Sequence, residues 1–215
     1  MPIKNYDGYY EDMRRNIIFG TIFPIRSYMI AGTDHKPSKA QIDAMHWFAV
    51  YTRSRCEKRV AASLCDDGIE AWVPLQKTLR QWSDRKKWVE VPLFNSYIFI
   101  HTTLSVIKQL VHQTDGAVYV VQFQDRPAIV PDSQIEGLRM LLNASEKFEI
   151  CPIELSTGSS VEVVRGPLRG LKGIFTEYKG RKRVMMRIDA INQYLYIEID
   201  PSYLKITGVR ELLTA

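Results

Sequence analysis

Val91-Pro92-Leu93-Phe94-Asn95-Ser96-Tyr97-Ile98-Phe99-Ile100 is the stretch on which the fold of this 215-residue chain turns. Read as a strand, it sends successive side chains to opposite faces, so Tyr97 and Phe99 share one face and Ile98 and Ile100 the other. Both faces are apolar and both want cover. The amphipathic helices on either side in sequence can roof one of them, and a small domain has too few helices for both. The aromatic face is therefore expected to stand at least partly open as a docking surface for another macromolecule, because a contiguous exposed apolar patch on a soluble domain usually has a partner. In the competing reading Tyr97 and Phe99 are ordinary core.

Working outward, Trp47-Phe48-Ala49-Val50-Tyr51 reads as a first strand, followed by helical periodicity after Ser54 that places Val60, Ala61 and Leu64 on one face before Gly68 stops it. Ile69 to Leu79 reads as a strand, and Arg80-Gln81-Trp82-Ser83-Asp84-Arg85-Lys86-Lys87-Trp88 as a polar, basic hairpin tip. Beyond the opening stretch, Leu104, Ile107 and Val111 form the stripe of a second helix. Val118 to Phe123 is a strand, Asp125-Arg126-Pro127 a turn, and Ala128-Ile129-Val130 a short extension, after which Asp132 can cap a helix over Ser133 to Asn143. The order strand, helix, strand, strand, helix, strand predicts an α+β fold, with a ferredoxin-like α/β sandwich over residues 46–143. Residues 144–160 read as a linker. Residues 161–207 carry short β-rich runs punctuated by glycine and fit a small SH3-like β-barrel, with a tail over 208–215.

Residues 1–45 read as a poorly ordered leader. Arg14-Arg15-Asn16-Ile17-Ile18-Phe19 hints at a signal peptide, but the apolar run breaks at Pro24 and Arg26, and Tyr28 to Gly32 is too short to span a bilayer, so membrane and secretion are rejected. A second hypothesis starts translation at Met45; a peptide from residues 1–44 in the mass spectrum of the native protein would refute it.

Hydrophobic residues at 46% and charged residues at 25% are ordinary for a folded globular chain, and a net charge of +5 suits approach to phosphate without demonstrating it. Cys56, Cys65 and Cys151 show no CxxC spacing; on a common helix the first two lie ~13 Å apart, beyond disulfide reach, which suggests a reduced, cytoplasmic protein. The histidines 35, 46, 101 and 112 show no metal spacing, so neither metal nor cofactor is expected. Asp66-Asp67 and Glu198 with Asp200 are carboxylate pairs without a nucleophile or base beside them. Gly166-Pro167-Leu168-Arg169-Gly170 lacks the lysine and hydroxyl of a phosphate-binding loop, and no enzyme is predicted.

Val161-Glu162-Val163-Val164-Arg165-Gly166-Pro167-Leu168-Arg169-Gly170-Leu171-Lys172-Gly173-Ile174 looks like a KOW motif. Gly166-Pro167 forces a tight turn, Gly170 and Gly173 permit positive φ or close backbone approach, and alternating Val161, Val163 and Ile174 fill a barrel. Together with the preceding sandwich, the chain resembles the NusG family of transcription elongation factors from about His46 to Ile206, an NGN domain joined to a KOW domain. Trp47-Phe48, Gly68-Ile69, Val73-Pro74 and Pro92 to Phe99 carry the likeness. Where the family has Phe-Pro-Gly-Tyr or Phe-Pro-Asn-Tyr, this chain has Phe94-Asn95-Ser96-Tyr97. Arg126 to Pro131 and Ile174 to Glu177 look closer to the specialised paralogue RfaH, while the Trp82 to Trp88 region and the Lys179 to Arg183 hairpin look similar to UpxY-type antiterminators of capsular-polysaccharide operons.

That resemblance implies a bacterial antitermination or elongation factor serving a specific long operon, for capsular or surface polysaccharide, with a ribosome- or RNA-associated KOW protein as the alternative. It implies that Trp47, Phe94, Tyr97 and Phe99 bind the β′ clamp helices of RNA polymerase and favour the closed, processive clamp. Arg53, Arg55, Lys58 and Arg59 fall where RfaH-like proteins meet the non-template DNA strand, a solvated helix face being the alternative. Arg85, Lys86 and Lys87, between Trp82 and Trp88, offer a second contact to unpaired DNA or nascent RNA, or only a soluble turn. Ile191 falls on the loop that meets ribosomal protein S10 or Rho. Arg183 matches one member of the salt bridge that locks a helical form of the C-terminal domain in RfaH-like proteins, but Val91 holds the acidic partner's place, with Glu90 adjacent, so a stable β-barrel is expected.

Overall fold

The computed structural model describes residues 42–82, 85–144, 148–151, 158–178 and 181–208, all within the unit Pro37–Ala215. Residues 1–41 of the leader expected over 1–45, and residues 209–215 of the tail expected over 208–215, lie outside the described residues.

Strand β1 (Met45–Thr52) is the middle of the first sheet because Phe48, Ala49 and Val50 give it apolar side chains on both faces, which only a covered central strand can bury. It is followed by helix α1 (Glu57–Asp66), β2 (Glu70–Trp72), β3 (Leu75–Gln81), β4 (Lys86–Pro92), β5 (Tyr97–Thr103), helix α2 (Ile107–Gln113) and β6 (Ala117–Val120). A short hairpin, β7 (Gln122–Phe123) and β8 (Arg126–Pro127), leads to β9 (Ile129–Val130) and helix α3 (Asp132–Ala144). The sheet runs β2-β5-β1-β6, with β9 also pairing with β1, while β3 and β4 form a separate two-stranded arm. Setting the arm aside, the succession strand, helix, strand, strand, helix, strand is the expected one.

Two sequence readings are corrected. The continuous strand expected over 91–100 is broken: β4 ends at Pro92, β5 begins at Tyr97, and Leu93 to Ser96 turn the chain, with Ser96 at φ 63°. Likewise Ile69 to Leu79 divides at Val73-Pro74 into β2 and β3. A proline lacks the ladder donor and restricts the residue before it, which accounts for the break at Pro74.

The alternation itself holds. Phe48, Val50, Ile98 and Ile100 point to one face and pack with Val60, Ala61 and Leu64 of α1 and Ile107 and Val111 of α2. Trp47, Ala49 and Phe99 point to the other, where Ile135, Leu138 and Leu141 of α3 meet them.

The C-terminal half is a second sheet: β10 (Phe148–Cys151), β11 (Ser159–Val163), β12 (Lys172–Tyr178), β13 (Arg181–Ile188), β14 (Gln193–Ile197) and β15 (Leu204–Gly208). All pairings are antiparallel, in the order β10-β14-β13-β12-β11-β15. The closed barrel expected over 161–207 is not what the pairing shows among the described residues. The segment read as a linker supplies β10, which occupies the free edge of β14 and leaves β10 and β15 as the two ends of an open order. The glycine turn is as read: Gly166 (φ +80°) and Gly170 (φ +93°) hold left-handed backbone, and a Cβ on Gly173 would meet the Met185 carbonyl at 2.6 Å. No helix replaces these strands. Arg183 is spent inside its own sheet, on Glu149 (3.3 Å) and Glu198 (3.4 Å), and not on Glu90.

Candidate functional site

Register stacks the aromatic face of the first sheet into three rows. Trp47, His101 and Glu70 are cross-strand neighbours in the first, Ala49, Phe99 and Trp72 in the second, and Tyr51, Tyr97 and Tyr119 in the third. In the first row the Trp47 and His101 rings stack at 4.8 Å, His101 Nδ1 lies 2.9 Å from Glu70, and Arg139 of α3 reaches across. Its guanidinium sits 5.3 Å from the Trp47 ring and 5.2 Å from Trp72 while pairing with Glu70 at 3.3 Å, a cation–π clamp that fixes α3 over this end of the face. In the second row Phe99 meets Trp72 at 6.0 Å and, edge-on, Phe94 at 6.4 Å. The third row stacks Tyr51 on Tyr119 at 5.0 Å with Tyr97 edge-on at 5.3 Å.

The turn that places Phe94 and Tyr97 has a specific support. Ser96 adopts φ 63°, a conformation a side chain makes unfavourable, and its N–H donates to the buried Glu57 carboxylate at 2.6 Å while its carbonyl accepts from Thr52 N–H at 2.9 Å. A carboxylate from the first turn of α1 thereby holds a turn that backbone preference alone would not favour. Glu57→Ala is expected to lower stability by ~1–3 kcal/mol in urea denaturation, because it leaves the Ser96 N–H buried without its acceptor. Ser96→Gly should be neutral or stabilising, since glycine adopts the same φ freely.

The open face expected from the sequence is corrected here. Trp47, Phe94 and Phe99 are buried and Tyr97 is half-buried. Their cover comes from α3 and, in the same continuous apolar cluster, from Val163, Leu168, Leu171, Met186, Ile188, Leu195 and Ile197 of the C-terminal half. The two halves meet closely at Gly137, where a Cβ would stand 2.8 Å from Met186 Sδ and 3.1 Å from Leu171 Cδ1. Beside it the Gln134 side-chain amide donates to the Asp189 carboxylate and accepts from the Asp189 N–H at 3.2 Å. Ile191, expected on an accessible loop, is instead buried in this cluster, at the end of a 3₁₀ turn (Asp189–Ile191) packed toward β1 and β9.

The basic residues at the start of α1 are solvent-facing but tethered. Arg53 and Arg59 share the Asp115 carboxylate at 3.4 and 3.1 Å, and Lys58 Nζ donates to the Glu90 carbonyl at 2.8 Å. The Cys56 sulfur, and after it Asp115, hold the Arg59 guanidinium above its ordinary pKa. Arg55 is exposed at φ 63°. Arg85, Lys86 and Lys87 lie exposed at the tip of the β3–β4 arm. Cys56 and Cys65 are both free thiols, and no three metal-ligating side chains gather among the described residues. No described helix is long and apolar enough to cross a membrane.

Residues 45–139 match the model of the NusG family, described as transcription termination factor nusG. Among solved structures the chain is similar to one titled for the domain interaction in Thermotoga maritima NusG, at 18% identity and a TM-score of 0.42, covering 77% of this chain and 98% of that one. It is also similar to the MjSpt4:Spt5 complex in conformation B (17% identity, TM-score 0.28, covering 77% and 99%) and conformation A (18%, 0.26, 76% and 99%). The stretch that matches the NusG family model, residues 45–139, is the one that builds the mixed α/β sheet with helices on both faces and an aromatic second face.

Proposed function

We propose that this chain is a transcription elongation or antitermination factor that binds the β′ clamp helices of RNA polymerase through the aromatic face built on Trp47, Phe94, Tyr97 and Phe99, and that the structure described is its closed form. The observation that carries the reading is the three-row aromatic face on a NusG-family domain, enclosed by a cluster that continues into the C-terminal sheet. Trp47, Phe94 and Phe99 cannot dock while they are buried, so the C-terminal half, which we take as the KOW domain, moves away before the polymerase seats. The apparent affinity is then the intrinsic one reduced by the fraction of open chains. Because Ile191 is buried in the same cluster, the opening that frees the aromatic face also frees the loop proposed to meet ribosomal protein S10 or Rho. Once bound, the factor needs no catalysis: a preference of about 1.4 kcal/mol for the closed clamp shifts the ratio of processive to paused enzyme tenfold. We place the factor with the operon-specialised RfaH and UpxY type, acting in the cytoplasm; a first position in a polysaccharide-synthesis gene cluster would support that assignment.

Tyr97→Ala is expected to weaken binding to RNA polymerase about tenfold while circular dichroism stays unchanged, since Tyr97 is half-buried and shares its row with Tyr51 and Tyr119. Unchanged affinity in the folded variant would reject this face as the docking surface.

A further inference from the structure

The β3–β4 arm belongs to neither large sheet. Two-stranded ribbons are marginal without packing, and this one is anchored at its base, where Leu93 N–H donates to the Pro74 carbonyl at 2.7 Å and Lys58 ties the Glu90 carbonyl to α1. Register divides the arm into two unlike faces. One holds Gln76, Thr78, Val89 and Val91, all half-buried, before it reaches Arg80 and Lys87. The other pairs Lys77 with Glu90, Leu79 with Trp88 and Gln81 with Lys86, and every one of these six residues is exposed. Trp88 is 65% exposed, Leu79 46% and, just beyond the last pair, Trp82 55%. A tryptophan directly across from a leucine on an uncovered ribbon is a flat apolar platform.

Its rim carries a positive excess. Residues 75–92 carry Lys77, Arg80, Arg85, Lys86 and Lys87 against Asp84 and Glu90. The Lys58 bond to Glu90 joins this arm to Arg53, Arg55 and Arg59 at the start of α1, so the two basic clusters are neighbours along one path. A ribbon of seven pairs is ~20 Å long, enough for several nucleotides in an extended strand. Aromatic platform, basic rim and extended track are the parts by which unpaired polynucleotides are held, bases stacking on the rings while phosphates meet the lysines and arginines.

We infer that the exposed Leu79–Trp88 face of the arm is a binding platform for an unpaired polynucleotide strand, with Lys77 and Lys86 on its phosphates. The inference deepens the transcription reading, which supplies the source of such a strand, but its test uses the free chain, so that either can fail alone. Base stacking selects single strands over duplex, whose bases are already stacked. DNA and RNA share the required chemistry and differ in the 2′-hydroxyl.

The test titrates the full chain into labelled twelve-nucleotide oligothymidylate, oligouridylate and a duplex of equal length at low salt, reading fluorescence anisotropy. Single strands should bind more tightly than duplex, with quenching of tryptophan emission. Trp88→Ala should lose about tenfold in affinity at an unchanged denaturation midpoint. Lys77→Glu/Lys86→Glu should weaken binding and flatten its salt dependence, which keeps the test informative if the tryptophan variant misfolds. A preference for uridylate or thymidylate identifies RNA or DNA as the natural strand. Absence of binding, equal or tighter duplex binding, an unaffected Trp88→Ala, or displacement by polyglutamate as readily as by nucleic acid would each overturn the inference, the last in favour of an acidic protein surface.

Discussion

Replacing Phe99 by alanine is expected to destabilise the chain by ~3–5 kcal/mol in urea denaturation, the range for deleting a buried phenyl ring. Phe99 is 0% exposed at the centre of the aromatic face, its strand neighbours are Ala49 and Trp72, and Phe94 meets its edge. Ala49 is too small to fill the space and Trp72 is held by Arg139, so the site collapses poorly. A domain of ordinary stability, ~5–15 kcal/mol, would lose much of its margin. Were Phe99 an open docking ring, as its sequence alone suggests, the same change would alter stability by less than ~1 kcal/mol. The midpoint of a single denaturation curve separates the two cases.

Gly137→Phe is expected to part the two halves without unfolding either. The glycine lies inside α3, where its lack of a side chain lowers helix propensity, and its position makes sense only as a point of close approach to Met186 and Leu171. One methyl can be absorbed by the flexible thioether; a benzyl group cannot. Overpacking costs of ~1–3 kcal/mol correspond to a shift in the closed–open ratio of roughly five- to 150-fold. Amide hydrogen exchange should accelerate tenfold or more at the Asp189–Ile191 turn and around Asp189 and Gln134, whose bonds close the seam. The amides of β1 and β5 should keep their protection. Loss of protection there would show unfolding and not separation.

Much of this architecture was legible in the order of residues, and the misses at the site share a cause. Alternation in Ala49-Val50 and in Ile98-Phe99-Ile100 shows that both faces of the first sheet need cover, and that proved correct. The inference that chain supply runs out after two helices failed because it counted only local elements: α3 and the C-terminal sheet together close the second face, and such long-range packing leaves no periodic trace. Gln134, Gly137, Arg139 and Asp189 were invisible as site residues for the same reason, each acting only on a partner distant in sequence. Tyr51 and Tyr119 could have been found, since period-two spacing from Trp47 and from Val121 marks their face. The break at Ser96 needed Glu57, thirty-nine positions away, to make a strained turn stable. By contrast, Gly166, Gly170 and Gly173 act through their own backbone, and the turn they make was readable from the letters.

The most direct test is the affinity of RNA polymerase for the parent chain and for Gly137→Phe, measured side by side once hydrogen exchange has shown both sheets intact. A surface covered in the free chain and used for docking predicts about tenfold tighter binding by the opened variant. Equal or weaker binding by a variant whose halves have separated would mean that the enclosed aromatic rings serve the protein's own interior and that polymerase, if it binds, does so elsewhere.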